Sequence, residues 1–204
     1  MQKRFLILLI VVLPLVHLAA PPTSAAQLKL DVKVFIGLGE TTYVALLETG
    51  RERNFLGSYQ IGFGARLRRN KAFLEVLFSF NRWIYEGVNP TLGGVNTQVN
   101  SFELPFLAGY IPFKNPYFKW LIYGGYVNHF NTKIIVRRDG DSSLRLKPKA
   151  DNLAVYQALA RLGTSVDLAM FNFDLNYSIS MNSATTTSYR TSYHQLQLNL
   201  AYIF

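Results

Sequence analysis

Apolar and polar residues alternate along most of the chain after its first 26 residues. Leu28, Leu30, Val32, Val34, Ile36 and Leu38 are separated by Lys29, Asp31, Lys33, Phe35 and Gly37. The pattern returns at Tyr59–Leu67, Leu74–Asn81 and Ser101–Tyr110. Four further segments follow: an aromatic and Gly-rich one at Phe118–His129, then Ala154–Ala169, Phe173–Ser180 and Gln195–Phe204. A period of two places alternate side chains on opposite faces of a strand, so each segment predicts a β-strand with one apolar face. The count is eight. Each segment is close to the roughly 9–11 residues that cross a bilayer on a tilt.

The spacing between segments also alternates. Short turns are predicted at Arg68–Lys71, Pro112–Pro116 and Met170–Asn172. Long loops are predicted at Glu40–Leu56, Glu86–Gln98, Phe130–Asn152 and Met181–Tyr193. Transmembrane barrels pair short turns on one side with longer loops on the other. The expected fold is an all-β, eight-stranded antiparallel up-and-down transmembrane β-barrel. A soluble lipocalin-like barrel is the rival, with the apolar faces turned inward.

Residues 2–26 follow a different pattern. Lys3 and Arg4 precede an apolar run from Phe5 to Ala20, and Ser24-Ala25-Ala26 supplies small residues. That is the layout of a secretory signal peptide, with cleavage expected after Ala26. The run carries Pro14 and His17 and falls short of the ~20 residues of a spanning helix. The chain therefore divides into a signal peptide, 1–26, and a barrel domain, 27–204.

Composition sharpens this picture. Half the residues are hydrophobic and 16% are charged, against about 25% in soluble proteins. The formal charge is +9. In an exported chain such a balance points to anionic lipid or lipopolysaccharide phosphate, not nucleic acid. There is no Cys, so neither a disulfide framework nor a thiolate metal site is available. No cofactor is expected.

Certain motifs resemble a known family. Ser101–Tyr110 (SFELPFLAGY), Asn115-Pro116-Tyr117 followed by Tyr123-Gly124-Gly125-Tyr126, and Phe173–Ser178 (FDLNYS) are similar, in order and spacing, to strands of the PorT-like family of small bacterial outer-membrane β-barrels. The closing strand, with Tyr202 and Phe204, resembles the C-terminal signal that barrel-insertion machinery reads. The resemblance implies an eight-stranded membrane barrel in the outer membrane. It does not imply an enzyme, though it makes a secretion-accessory role conceivable.

The strand phases predict which polar residues face inward: Asp31, Lys33, Arg66, Glu75, Glu103, Arg161, Asp167 and Asp174. In a narrow barrel filled by side chains these should form a paired polar network. The functional rival is a proton path, or Glu75 and Glu103 acting as an acid–base dyad. His129 and His194 are expected near the outer rim, where Ser192 with His194 would be the candidate acyl-transfer pair of a lipid-modifying enzyme. Ser and Thr are dense there, so the expected chain is non-catalytic. The third long loop carries Arg137, Arg138 and Arg145, which are candidates for pairing with lipopolysaccharide phosphates. Aromatics fall at both strand ends, Tyr110, Trp120, Tyr202 and Phe204 low and Tyr85, Tyr126 and Phe130 high, as in interfacial girdles.

Overall fold

The computed structural model describes residues 28–47, 50–89, 93–138, 144–147, 154–183 and 191–204. The expected signal peptide, 1–26, and its expected cleavage site lie outside the described residues. The alternating segments become long strands: β1 (Lys29–Leu47), β2 (Gly50–Arg69), β3 (Ala72–Asn89), β4 (Gly93–Lys114), β5 (Phe118–Arg138), β6 (Leu144–Leu146), β7 (Tyr156–Leu168), β8 (Phe171–Ser180) and β9 (Thr191–Ile203). All but β6 form an antiparallel ring, with β9 paired to β1. At the seam, the Phe204 amide donates to the Val32 carbonyl at 2.9 Å. A closed ring has no edge strand, so every wall strand finds a partner on both sides. The short β6 stands outside the ring and pairs with Ile134–Val136 of β5.

Two of the turns are tight. Asn70 and Ala169 adopt left-handed φ values of 56° and 51°. Asn tolerates that region, whereas Ala meets a Cβ clash there. At the third turn Asn115 Oδ1 accepts from the amides of Tyr117 and Phe118, at 3.0 and 2.7 Å.

The other end differs from the sequence expectation. Most of Glu40–Leu56 and Glu86–Gln98 is strand, not loop: β1 and β2 stay paired up to Leu47 and Gly50, and β3 and β4 up to Asn89 and Gly93. The start of Phe130–Asn152 likewise continues β5 to Arg138. The cause lies in the surroundings. Once a hairpin rises above a membrane, both faces meet water, and hydrogen bonding continues without an enforced apolar face. The wall is therefore uneven. Strands β1–β5 run 18–22 residues, and β7–β9 only 10–13.

The faces are inverted relative to a soluble barrel. Leu38 is 71% exposed and Leu198 60%, while Arg66 is 2% and Glu103 0% exposed. A lipocalin-like barrel would show the reverse. An apolar exterior around a polar interior is the arrangement of a barrel solvated by lipid. The lumen is not wholly polar. Phe35, Phe73, Leu77, Leu107, Leu121 and Tyr123 belong to an inward apolar cluster. Gly163 makes room for one of these rings: a Cβ there would lie 2.3 Å from Tyr123 Oη.

Candidate functional site

Inward side chains meet in three tiers along the lumen. Nearest the short turns, Glu75 accepts from Lys33 Nζ at 2.6 Å and from Arg66 Nε. Arg66 Nη1 reaches Asp167 Oδ2 at 3.0 Å, and Asn172 Nδ2 donates to Asp167 Oδ1 at 2.7 Å. Lys119 Nζ stands 3.8 Å from the same carboxylate, and Arg68 forks onto Asp31 at the rim. In the middle tier, Asp174 accepts from Tyr123 Oη, from Asn176 Nδ2 at 2.7 Å and from Asn199 Nδ2 at 2.9 Å. Asn199 Oδ1 in turn accepts from Gln60.

The upper tier is built on Glu103. Arg161 Nη2 donates to its Oε2 at 2.7 Å, and Arg161 Nε donates to Ser178 Oγ at 2.7 Å. His129 Nδ1 lies 3.1 Å from Glu103 Oε1, and its Nε2 lies 3.1 Å from Asn131 Oδ1. The Asn131 amide is oriented by its donation to the Ala154 carbonyl at 2.8 Å. Both ring nitrogens of His129 thus face oxygen acceptors. The Tyr193 ring packs on His129, with centroids 5.3 Å apart.

All eight sequence-predicted inward residues, Asp31, Lys33, Arg66, Glu75, Glu103, Arg161, Asp167 and Asp174, take part in this lattice. Among the described residues it holds five Lys or Arg cations (Lys33, Arg66, Arg68, Lys119, Arg161) and five carboxylates. Charges in a low-dielectric interior are tolerable only when matched in this way. Glu75 and Glu103 sit in different tiers, each neutralised by its own cations, so the carboxylate dyad is not assembled. An internal cavity of about 10 Å³, bordered by Lys33, Gln60, Tyr123, Arg161, Asp174 and Asn199, has room for about one water molecule. Buried Gln157, Ser101 and Ser165 have side-chain atoms without a protein partner among the described residues, which is chemistry suited to buried water.

The histidines separate. His129 is fully buried in the lumen and not at an open rim. The phase of β5 carries the signal for this, because Glu103 and His129 are cross-strand partners. His194 faces outward on β9, with Nδ1 against Tyr177 Oη. Ser192 shares that outward face, but no Ser192–His194 hydrogen bond is present among the described residues. Arg145 is exposed on β6. Arg137 and Arg138 lie at the outer end of β5, with side chains outside the described set.

Tyr202 and Phe204 project outward, with ring centroids 4.9 Å apart. Tyr110, Trp120, Tyr126 and Phe130 are exposed on the outer face as well. The Tyr85 side chain is outside the described residues.

No family model matches the chain, and no curated protein matches it. Solved structures similar to it are transmembrane barrels. Neisserial surface protein A is 13% identical, with 84% of this chain and 97% of that one covered and a TM-score of 0.45. Ail, the attachment invasion locus protein of Yersinia pestis, is 13% identical over 84% and 98%, TM-score 0.42. The outer membrane enzyme PagL is 12% identical over 83% and 98%, TM-score 0.49. These likenesses concern architecture alone.

Proposed function

We propose that the chain is an integral barrel of a bacterial outer membrane with a structural, surface-interaction or secretion-accessory role and no catalytic activity. One observation carries this reading: an apolar outer wall encloses a lumen filled by a charge-matched lattice. The wall needs lipid around it, since only closed barrels and helices satisfy their backbone groups there. The lattice fills the space a channel would need. Each inward carboxylate is held by hydrogen-bond donors, which suits holding the wall together better than turning over a substrate. The secretion-accessory variant has only the resemblance of Ser101–Tyr110 and Phe173–Ser178 to PorT-like strands behind it. The outward Tyr202 and Phe204 on β9 suit recognition by barrel-insertion machinery.

Above the membrane, the β5–β6 arm presents Arg145, with Arg137 and Arg138 beyond its outermost pair, Val136–Leu144, at the outer end of β5. We assign this arm to lipopolysaccharide phosphates. Neutral substitution of the three arginines should lower lipopolysaccharide association, and unchanged association removes the assignment.

The membrane reading is tested by gel mobility of the membrane fraction with and without boiling. The unheated barrel should migrate differently from the boiled chain. Recovery as a soluble, heat-insensitive protein overturns the reading. The non-catalytic claim is tested by replacing His129 and His194 and comparing lipid A structure in the two strains. A change in lipid A acylation would establish an enzyme instead.

A further inference from the structure

Cations inside this barrel meet carboxylates. Among the described residues, two outward-facing cations far from the short turns do not. Arg82 on β3 and Lys133 on β5 are partly exposed and make no ion pair among the described residues. Both point to the lipid side, since their neighbours Asn81, Trp83 and Ile134 are buried on the lumen side.

Lys133 faces outward because of a register shift. Ser101 pairs with Asn131, but Asn100 pairs with Lys133, leaving Thr132 as an extra residue. Without that bulge Lys133 would oppose Val99 and enter the lumen. Bulges commonly re-aim a side chain in this way.

Arg82 and Lys133 flank the same residue. Asn100 of β4 opposes Arg82 on one side and Lys133 on the other. Two strand spacings separate their backbones by roughly 10 Å, a gap that two long side chains can close. Asn100 Oδ1 accepts from Arg82 Nε at 2.9 Å and from Gln98 Nε2 at 3.2 Å. Thr132 Oγ1 donates to the Asn100 carbonyl at 3.0 Å. The guanidinium carbon lies 5.7 Å from the Tyr59 ring centroid and 5.8 Å from that of Phe80. The guanidinium is thus fixed through Nε, and among the described residues its two Nη groups make no hydrogen bond, which leaves them for a ligand.

Height and surroundings identify the ligand. On a wall tilted about 40°, Arg82 stands roughly 28 Å above the β2–β3 turn. That is the upper limit of an apolar band about 25 Å tall. An Arg on the lipid face is costly at mid-membrane and nearly free at the interface. Below it, Phe102 stacks on Phe78 at 5.6 Å and meets Phe80 edge-on at 5.4 Å, as an apolar shelf. Guanidinium and ammonium groups above an aromatic shelf match a lipid phosphate above its acyl chains.

We propose that Arg82 and Lys133, arranged about Asn100, bind the phosphate of an outer-leaflet lipid whose acyl chains descend over Phe80 and Phe102. The proposal rests on the membrane reading. It concerns the barrel wall and is separate from the β5–β6 arm.

The test uses the purified full chain in detergent, titrated by native mass spectrometry. The probes are phosphorylated lipid A, dephosphorylated lipid A and inorganic phosphate. Wild type should prefer the phosphorylated lipid, and millimolar inorganic phosphate should not displace it. The Arg82→Gln/Lys133→Gln double variant should bind the lipid about thirtyfold more weakly, and each single variant about fivefold. Arg145→Gln should bind as wild type. Wild-type affinity in the double variant, or equal binding of dephosphorylated lipid, overturns the site. Displacement by inorganic phosphate reassigns it to a free anion and also overturns the proposal. If the double variant does not fold, the single variants carry the same test. The unboiled gel shift separates the two claims. Its loss in wild type sinks the membrane reading, whereas a normal shift with unchanged lipid binding sinks only this site.

Discussion

The two faces of β9 obey opposite rules within one strand. Gln195, Gln197 and Asn199 are buried, while Leu196, Leu198 and Leu200 are 48%, 60% and 41% exposed. On the inner face the charged groups depend on named partners, so removal of one is felt by the residues left behind. On the outer face each side chain needs only to be apolar, and no particular neighbour matters. The inner wall is a set of coupled pairs and the outer wall a set of independent contacts.

The largest expected effect falls on the inner face. Glu103→Ala leaves Arg161 and His129 without their carboxylate and should cost about 3–5 kcal/mol. Reversible denaturant unfolding in lipid vesicles measures it. Replacing Glu103 and Arg161 together with apolar residues should cost less than Glu103→Ala alone; a larger, additive loss would break the coupled-pair description. Next, on the outer face, Leu198→Arg should cost about 2–4 kcal/mol in vesicles, because the charge enters mid-membrane. A cost near zero would mean that this face meets water. Third, Gly163→Ala pushes a methyl group into Tyr123 and should cost about 1–3 kcal/mol by overpacking. The smallest effect has the opposite sign. Ala169→Gly relieves a left-handed φ at a turn belonging to neither face and should stabilise by about 1 kcal/mol.

Much of this was legible in the sequence because lipid enforces alternation. The eight wall strands, their order and the inward phase of Asp31 through Asp174 all follow from period two. Legibility fails where enforcement stops. Thr42-Tyr43-Val44-Ala45 continues β1 without an alternation of apolar and polar residues, so the extended hairpins resemble loops in sequence. It also fails for inward apolar groups. Phe35 and Leu77 share the phase of Lys33 and Glu75, but nothing in one sequence says that they fill a core. Arg82 was marked more plainly: it is a cation in the outward phase of Phe78 and Phe80. Lys133 was hidden, since its direction depends on a one-residue bulge that spacing alone does not show.

The seam between β1 and β9 sets a timetable for assembly. Lys33 pairs with Ile203, and Thr41 with Gln195. These are the contacts most distant along the chain, and contacts of such long range are slow to form. Until β9 is delivered, β1 carries a row of unpaired amides and carbonyls open to other chains. The unclosed sheet is then a species prone to mispairing. Because each wall strand is held by its neighbours around the circle, sealing the seam turns a loose sheet into a cooperative ring in one step. The β1–β9 pairing is thus the contact that commits the fold.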